Sequence, residues 1–213
     1  MTDQRGFFIV LEGLDGSGKS TQAKLLAEYL RAKGRQVLLT AEPTDSCVGR
    51  IIRETLGGGV PRAPEELAAL FLADRIRHNT DPENGIRRVL ASGSDVVCDR
   101  YYYSSFAYQG METDPEWVAR MNLDCPVVRK PDLCIFYDLD PETCFGHLRG
   151  SREHFEIFER DAALIEKTRE QFEKAFALLK GRENIVRIDA GRSIGEVAAD
   201  TQKTVDGLLG QNG

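Results

Sequence analysis

Five short runs of the chain are apolar almost without interruption: FFIVLE (7–12), QVLLT (36–40), DVVCD (95–99), LCIFYD (133–138) and IVRID (185–189). A strand with one face in water alternates apolar and polar residues. A continuous apolar run predicts a strand covered on both faces. Between the runs, apolar residues recur at helical spacing. KSTQAKLLAEYLRAKG (19–34) sets Leu25, Leu26, Tyr29 and Leu30 along one side and stops at Gly34. PEELAALFLADRIRH (64–78), PENGIRRVLASG (82–93), FERDAALIEKTREQFEKAFALLKG (158–181) and SIGEVAADTQKTVDGLL (193–209) read as further helices. LGGGVPRAP (56–64) reads as a flexible loop, and LRGSREH (148–154) as a polar, basic interruption between two helical patterns. Strand and helix alternate, which predicts an α/β fold: a parallel sheet of about five strands with helices on both faces. Ligands of such sheets bind beyond the carboxyl ends of the strands, so chemistry is sought there.

The first strand runs into GLDGSGKS (13–20), which fits G-x-x-x-x-G-K-[ST] in the strand-to-helix context that the pattern requires. Gly13, Gly16 and Gly18 let the backbone turn tightly and aim N–H groups at one point, and the helix start adds partial positive charge. With Leu14, Asp15, Ser17 and Thr21 they form a candidate cradle for the phosphates of ATP. Lys19 is placed to reach the β- and γ-phosphates, and the Ser20 hydroxyl to ligate Mg²⁺. The order here is GxxGxG followed by Lys-Ser rather than GxGxxG, which argues against a dinucleotide fold.

Composition narrows the partners. The 213 residues suit one domain, and 41% hydrophobic with 29% charged residues suits a packed core with a soluble surface. A net charge of −6 offers no general attraction to nucleic acid or to acidic membranes, so a bound anion must meet a local basic site. No apolar run has the length of a membrane span, and MTDQRGFF lacks the layout of a signal peptide. Cys47, Cys98, Cys125, Cys134 and Cys144 are odd in number and never form CxxC, as expected of reduced thiols in a cytoplasmic protein.

Two other stretches carry candidate chemistry. In DRYYYSSFAYQG (99–110), Asp99 ends an apolar run, the place of a carboxylate that helps hold Mg²⁺, often through water. Arg100 follows and can grip a phosphate through two parallel hydrogen bonds; the plain alternative is an exposed ion pair. Phe71 and Arg75 are four apart on a predicted helix and share a face. By residue type alone the favoured reading is plain: Phe71 a core ring and Arg75 a solvated charge. Tyr101, Tyr102 and Tyr103 cannot all face one pocket, so at least one of them packs.

Taken together, FIVLEGLDGSGKST, EPT, LFLADRIRH, CDRYYYSSFAYQG and IDAGRSIGEV resemble the thymidylate kinases of the P-loop nucleoside monophosphate kinase group, in the same order, from residue 7 to about 197. Adenylate and uridylate kinases usually continue the loop as GKGT, and deoxynucleoside kinases usually carry a different arginine motif. The resemblance implies one kinase domain over 1–213 with a short lid near 147–158, and transfer of the γ-phosphoryl of MgATP to dTMP. It implies a homodimer formed through helices. It places Phe71 against the thymine ring, Arg75 and Arg100 at the acceptor phosphate and base, and Ser105, Tyr108 and Gln109 along base and sugar. Asp15 then orients Arg100 or meets the sugar, and Glu159 lies near the acceptor and metal. Ala190, Gly191 and Arg192 border the adenine. Some relatives carry a basic residue inside the phosphate loop and others in the lid. Position 16 is Gly, so Arg149 and Arg152 are the expected lid cations, Arg160 a weaker one, with Glu156 facing the same region. A solvated helix start is the bland reading of that segment. The family usually reads Arg-Glu-Pro after the second strand, where this chain has Ala41-Glu42-Pro43. Acceptor binding then rests more on Arg75, Arg100 and Arg50 or Arg53. The rival readings are a kinase for another pyrimidine nucleotide and a nucleotide-binding module without turnover.

Overall fold

All five apolar runs form strands, each within a residue of its expected ends: β1 (Phe8–Gly13), β2 (Val37–Ala41), β3 (Asp95–Asp99), β4 (Leu133–Asp138) and β5 (Ile185–Asp189). The computed structural model describes residues 5–151 and 162–210. The strands make one all-parallel sheet in the order β2-β3-β1-β4-β5. Among the described residues nine helices connect them: α1 (Lys19–Ala32), α2 (Cys47–Leu56), α3 (Pro64–Thr80), α4 (Ile86–Ala91), α5 (Tyr102–Glu112), α6 (Pro115–Leu123), α7 (Pro141–Ser151), α8 (Ala162–Leu179) and α9 (Ile194–Gly210).

Side chains alternate across the sheet, yet both sets are buried. Phe8, Val10, Val96, Cys98, Cys134 and Phe136 pack under α2 to α8, while Ile9, Leu11, Val97, Ile135 and Tyr137 pack under α1 and α9. That is why the strand sequences are largely apolar on both faces.

Register sets the site. Asp99 pairs with Leu11 on one side and Ala41 on the other, and Gly13 pairs with Tyr137. The carboxyl ends of β1, β2 and β3 therefore finish at nearly one level. The amino ends are tied off structurally: Asp95 accepts from Phe7 N and pairs with Arg35, and Asp132 accepts from Phe8 N and pairs with Arg5.

Three stretches differ from the sequence reading. CVGRIIRETL forms α2, starting at Ser46, whose side chain accepts from Gly49 N at 3.0 Å. Its Val and Ile residues lower helix propensity, and packing on α3 overrides them. PEWVARMNL forms α6 behind an Asp114 cap and a first-turn proline. Residues 148–151 of the expected interruption continue α7.

Candidate active site

Beyond the carboxyl ends of β1, β2 and β3 lies a cavity of about 470 Å³. Asp15, Gly16, Gly18, Lys19, Ser20 and Thr21 line one part of it, and Ala41, Glu42, Pro43, Arg53, Leu56, Phe71, Arg75, Tyr101, Ser104, Tyr108 and Gln109 another. Asp99 and Arg100 bridge the two, and α7 contributes His147 and Leu148.

The loop between β1 and α1 has the geometry its glycines predict. Gly16 and Gly18 adopt φ of +84° and +87°, a left-handed conformation that costs a residue with a Cβ. At Gly16 there is no room either, because a Cβ would lie 2.5 Å from the Cys144 carbonyl oxygen on α7. His147 Nδ1–H donates to the Gly16 carbonyl at 2.9 Å, so α7 is seated directly on the loop. Ser17 Oγ is buried with no partner among the described residues, a hydroxyl suited to a phosphate oxygen. Lys19 is 5% exposed and donates to the Leu14 carbonyl at 2.7 Å. Burial, and then Arg100, pull its pKa down, against Asp15, Asp99 and Glu12. Ser20 Oγ donates to Asp99 Oδ2 at 2.5 Å.

Arg100 is the hinge between the two parts. It follows β3 with φ of +70°, rare for a residue with a side chain. Its guanidinium pairs with Asp15 and donates to Ser104 Oγ at 2.8 Å. Tyr108 OH donates to the other Asp15 oxygen at 2.8 Å. Burial works against the Asp15 carboxylate, but Arg100, then Lys19, and the hydrogen bonds from Tyr108 and Arg100 outweigh it and hold its pKa at about 2. Burial likewise opposes the charge on Arg100, and Asp15, Tyr108, Glu12 and Asp99 more than restore it.

Arg75 on α3 is fully buried. Its Nε donates to Glu42 at 2.8 Å, and its terminal nitrogens donate to Asn122 Oδ1 at 2.5 Å and to Ser105 Oγ at 3.2 Å. Its guanidinium lies over the Tyr101 ring, 5.1 Å from the centroid. His78 Nδ1–H donates to the other Glu42 oxygen at 3.0 Å, and Thr40 Oγ1 pairs with His78 Nε2 at 2.9 Å. The solvated-charge reading of Arg75 is thereby excluded. Phe71, one turn earlier, is half-buried on the cavity wall.

The remaining residues fall in three groups. Ser105 is buried against Arg75, and its neighbour Ser104 lines the cavity instead. Ala190, Gly191 and Arg192 lie after β5, outside the cavity lining, with Arg192 paired to Asp200 at 2.5 Å. Arg149 is exposed on the last turn of α7, 5.8 Å from the Phe145 ring centroid. Arg152, Glu156, Glu159 and Arg160, with most of the expected lid, lie outside the described residues. Of the two arginines weighed for the missing one at position 41, Arg53 lines the cavity, held by the Pro43 carbonyl at 2.8 Å and Asp45 at 2.9 Å. Arg50 is exposed and bonds the Asp45 carbonyl.

A loop that fits phosphates, beside an aromatic wall bearing arginines, is an arrangement for moving a phosphoryl group between two nucleotides. Comparison with known proteins decides the family. The sequence profile of thymidylate kinase matches residues 11–201. The chain belongs to the thymidylate kinase family. A "Probable thymidylate kinase" of Pyrococcus abyssi is 39% identical over 202 residues, 92% of this chain and 94% of the relative. A second, from Pyrococcus horikoshii, is 46% identical over 160 residues, 71% and 75% of the two chains. The "Thymidylate kinase" of Bifidobacterium longum subsp. infantis is 35% identical over 214 residues, 97% and 89%. Membership makes the chain a phosphotransferase of the P-loop nucleoside monophosphate kinase fold.

Within that family frame, the sequence reading had not singled out Glu12, Ser104, Asn122 or His147. Ser104 had a signal, since it stands in DRYYYSSFAYQG four positions after Arg100. Glu12 had a weaker one, a carboxylate closing an otherwise apolar strand. Asn122 and His147 had none, because their partners, Arg75 and Gly16, are remote in sequence.

Proposed function

We propose that the chain transfers the γ-phosphoryl group of MgATP to thymidine 5′-monophosphate, giving ADP and thymidine 5′-diphosphate for dTTP synthesis. The observation that carries this reading is the shared cavity, in which the phosphate loop meets the Phe71–Tyr108–Gln109 wall across Asp99 and Arg100.

On the donor side, the backbone of Gly13 to Thr21 would cradle the phosphates and Lys19 would exchange the Leu14 carbonyl for the β- and γ-oxygens. Ala190, Gly191 and Arg192 would border the adenine. On the acceptor side, Phe71 would stack on the thymine, with Gln109 and Arg75 at the base and Ser105 acting through Arg75. Tyr108 would crowd a ribose 2′-hydroxyl. Arg100 would hold the acceptor phosphate, Arg53 supplying the second cation that Ala41 cannot, and Asp15 would keep Arg100 aimed.

The donor set suits Mg²⁺: a hydroxyl and a carboxylate, Ser20 and Asp99, already within hydrogen-bond distance at the phosphate loop. Among the described residues there is no cluster of three or more His, Cys, Asp or Glu to hold a metal without the nucleotide. Bound there, Mg²⁺ would neutralise charge on the β- and γ-phosphates. The acceptor phosphate is already anionic near neutral pH, so its oxygen attacks without a strong base. The residues contribute positioning and charge, with Arg149 and Arg152 as lid cations and Glu159 beside the acceptor. The reading includes one kinase domain with its lid at about 147–158, a homodimer as the family resemblance implies, and a cytoplasmic location, in keeping with five unpaired cysteines. Among the described residues, no helix is long and apolar enough to cross a membrane.

The test follows the phosphoryl group. With MgATP labelled on the γ-phosphate and thymidylate present, label must appear in thymidine diphosphate, one for each ADP formed. Label released as inorganic phosphate would refute the transfer. Tight nucleotide binding without turnover would favour a binding module.

A further inference from the structure

Arg100 holds a strained backbone and a fixed guanidinium, and both are tied to one buried side chain besides Asp15: Glu12, the last side chain of β1. One Glu12 oxygen accepts from Tyr101 N at 2.8 Å and from Ser104 N at 3.2 Å. These are amides at the start of α5, whose own N-cap residue, Tyr101, makes no side-chain cap bond. The Glu12 side chain therefore caps α5 from a distant strand. Arg100 N donates to the Leu11 carbonyl at 3.0 Å, so the amides on both sides of the strained residue are fastened to β1.

The other Glu12 oxygen accepts from Ser104 Oγ at 2.7 Å, and Ser104 Oγ accepts from Arg100 at 2.8 Å. Arg100 can only donate, so the Ser104 oxygen accepts from it, and the Ser104 proton is left to point at the second Glu12 oxygen. We propose that Glu12 is a positioning residue for acceptor use: through the Ser104 hydroxyl and the capped start of α5, it sets the conformation and aim of Arg100. The inference rests on the acceptor-side role proposed for Arg100 and deepens it.

Steady-state kinetics test it with both substrates varied, using whichever nucleoside monophosphate the unaltered protein phosphorylates best. In Glu12→Gln one acceptor oxygen becomes a donor and the Ser104 hydroxyl loses its fixed direction. The expected result is a fall in kcat/KM for the acceptor on the order of tenfold, the scale of a hydrogen bond to a charged group. KM for MgATP should stay within about twofold on the same basis, since the donor loop keeps its contacts. Ser104→Ala should lower the acceptor kcat/KM similarly, and the double variant should be little worse than either single one, because both cut the same chain. An unchanged acceptor kcat/KM in folded Glu12→Gln would overturn the proposal. So would an equal rise in both KM values, which marks general loosening, or full additivity in the double variant. Should Glu12→Gln fail to fold, Ser104→Ala decides alone by the same acceptor-against-donor split. Because the acceptor is chosen by the unaltered protein's own activity, a failure of the thymidylate reading shows in that first measurement and a failure of the positioning role only in the variants.

Discussion

Lys19, Arg100 and Asp15 share one electrostatic cluster, yet each answers to a different experiment. Lys19→Ala should lower kcat on the order of 10²-fold or more, as for loss of one preorganised donor to transferring charge; near-normal turnover would remove Lys19 from the transfer. Arg100→Ala should raise KM for the acceptor while leaving nucleotide binding intact, and a collapse of ATP affinity would instead place Arg100 on the donor side. Asp15 has a pKa depressed from 3.8 to about 2, so the stability it contributes is complete above its unfolded value and drains as pH falls through the folded one. In urea titrations, the difference in stability between the unaltered chain and Asp15→Asn should be constant from about pH 5 to 8 and shrink below about pH 4. A difference that grows on acidification would contradict the assignment. At this scale the sequence was an uneven guide. The geometry of residues 13–21 was legible because it is local: a glycine loop and the helix it opens. Arg75 was not. Whether it is solvated or buried depends on Glu42, Ser105 and Asn122, each 30 or more positions away, and no spacing rule reports such partners.

Elements decide which of these residues can meet. The loop of α1 is overlaid by α7, whose Cys144 carbonyl and His147 leave Gly16 no space for a side chain. A basic side chain at position 16 is therefore excluded by packing as well as by sequence. The part of the cavity wall from α2 and α3 depends on those helices being locked at their ends. Asp74, 1% exposed on α3, accepts from Thr44 N at 2.7 Å and from Thr44 and Ser46 hydroxyls at 2.6 Å, and Ser46 caps α2. Asp74→Ala strands these donors and should cost about 2–3 kcal/mol in urea unfolding; a loss below about 0.5 kcal/mol would show that the lock is not needed. The strands and the long helices could be read from periodicity, whereas α2, α5 and α6 could not. In α2 the β-branched residues pull against the helix. In DRYYYSSFAYQG the aromatic content masks a helix that exists because its start is capped from β1 and its tyrosines are buried: Tyr102 and Tyr103 both donate to Glu183, and Tyr101 receives from Asn79 at 2.8 Å.

Across the whole molecule, the parallel sheet both made the fold legible and fixed where the chemistry lies. Strands covered on two faces are largely apolar, and that pattern survives without any knowledge of neighbours. Aligned carboxyl ends then bring residues 15–21, 41–43 and 99–109 to one cavity. In a chain of net charge −6, Lys19, Arg53, Arg75 and Arg100 line this one cavity, together with Asp15, Glu42 and Asp99, which supplies the local basic site an anion requires. What the sheet does not fix is which base the Phe71 wall prefers. Thymidylate, deoxyuridylate, deoxycytidylate and uridylate, each offered with MgATP and compared by kcat/KM for ADP formation, test that directly. A thymidylate kinase gives thymidylate the highest value and uridylate, with its 2′-hydroxyl against Tyr108, a far lower one; a higher value for any of the other three would contradict the assigned acceptor.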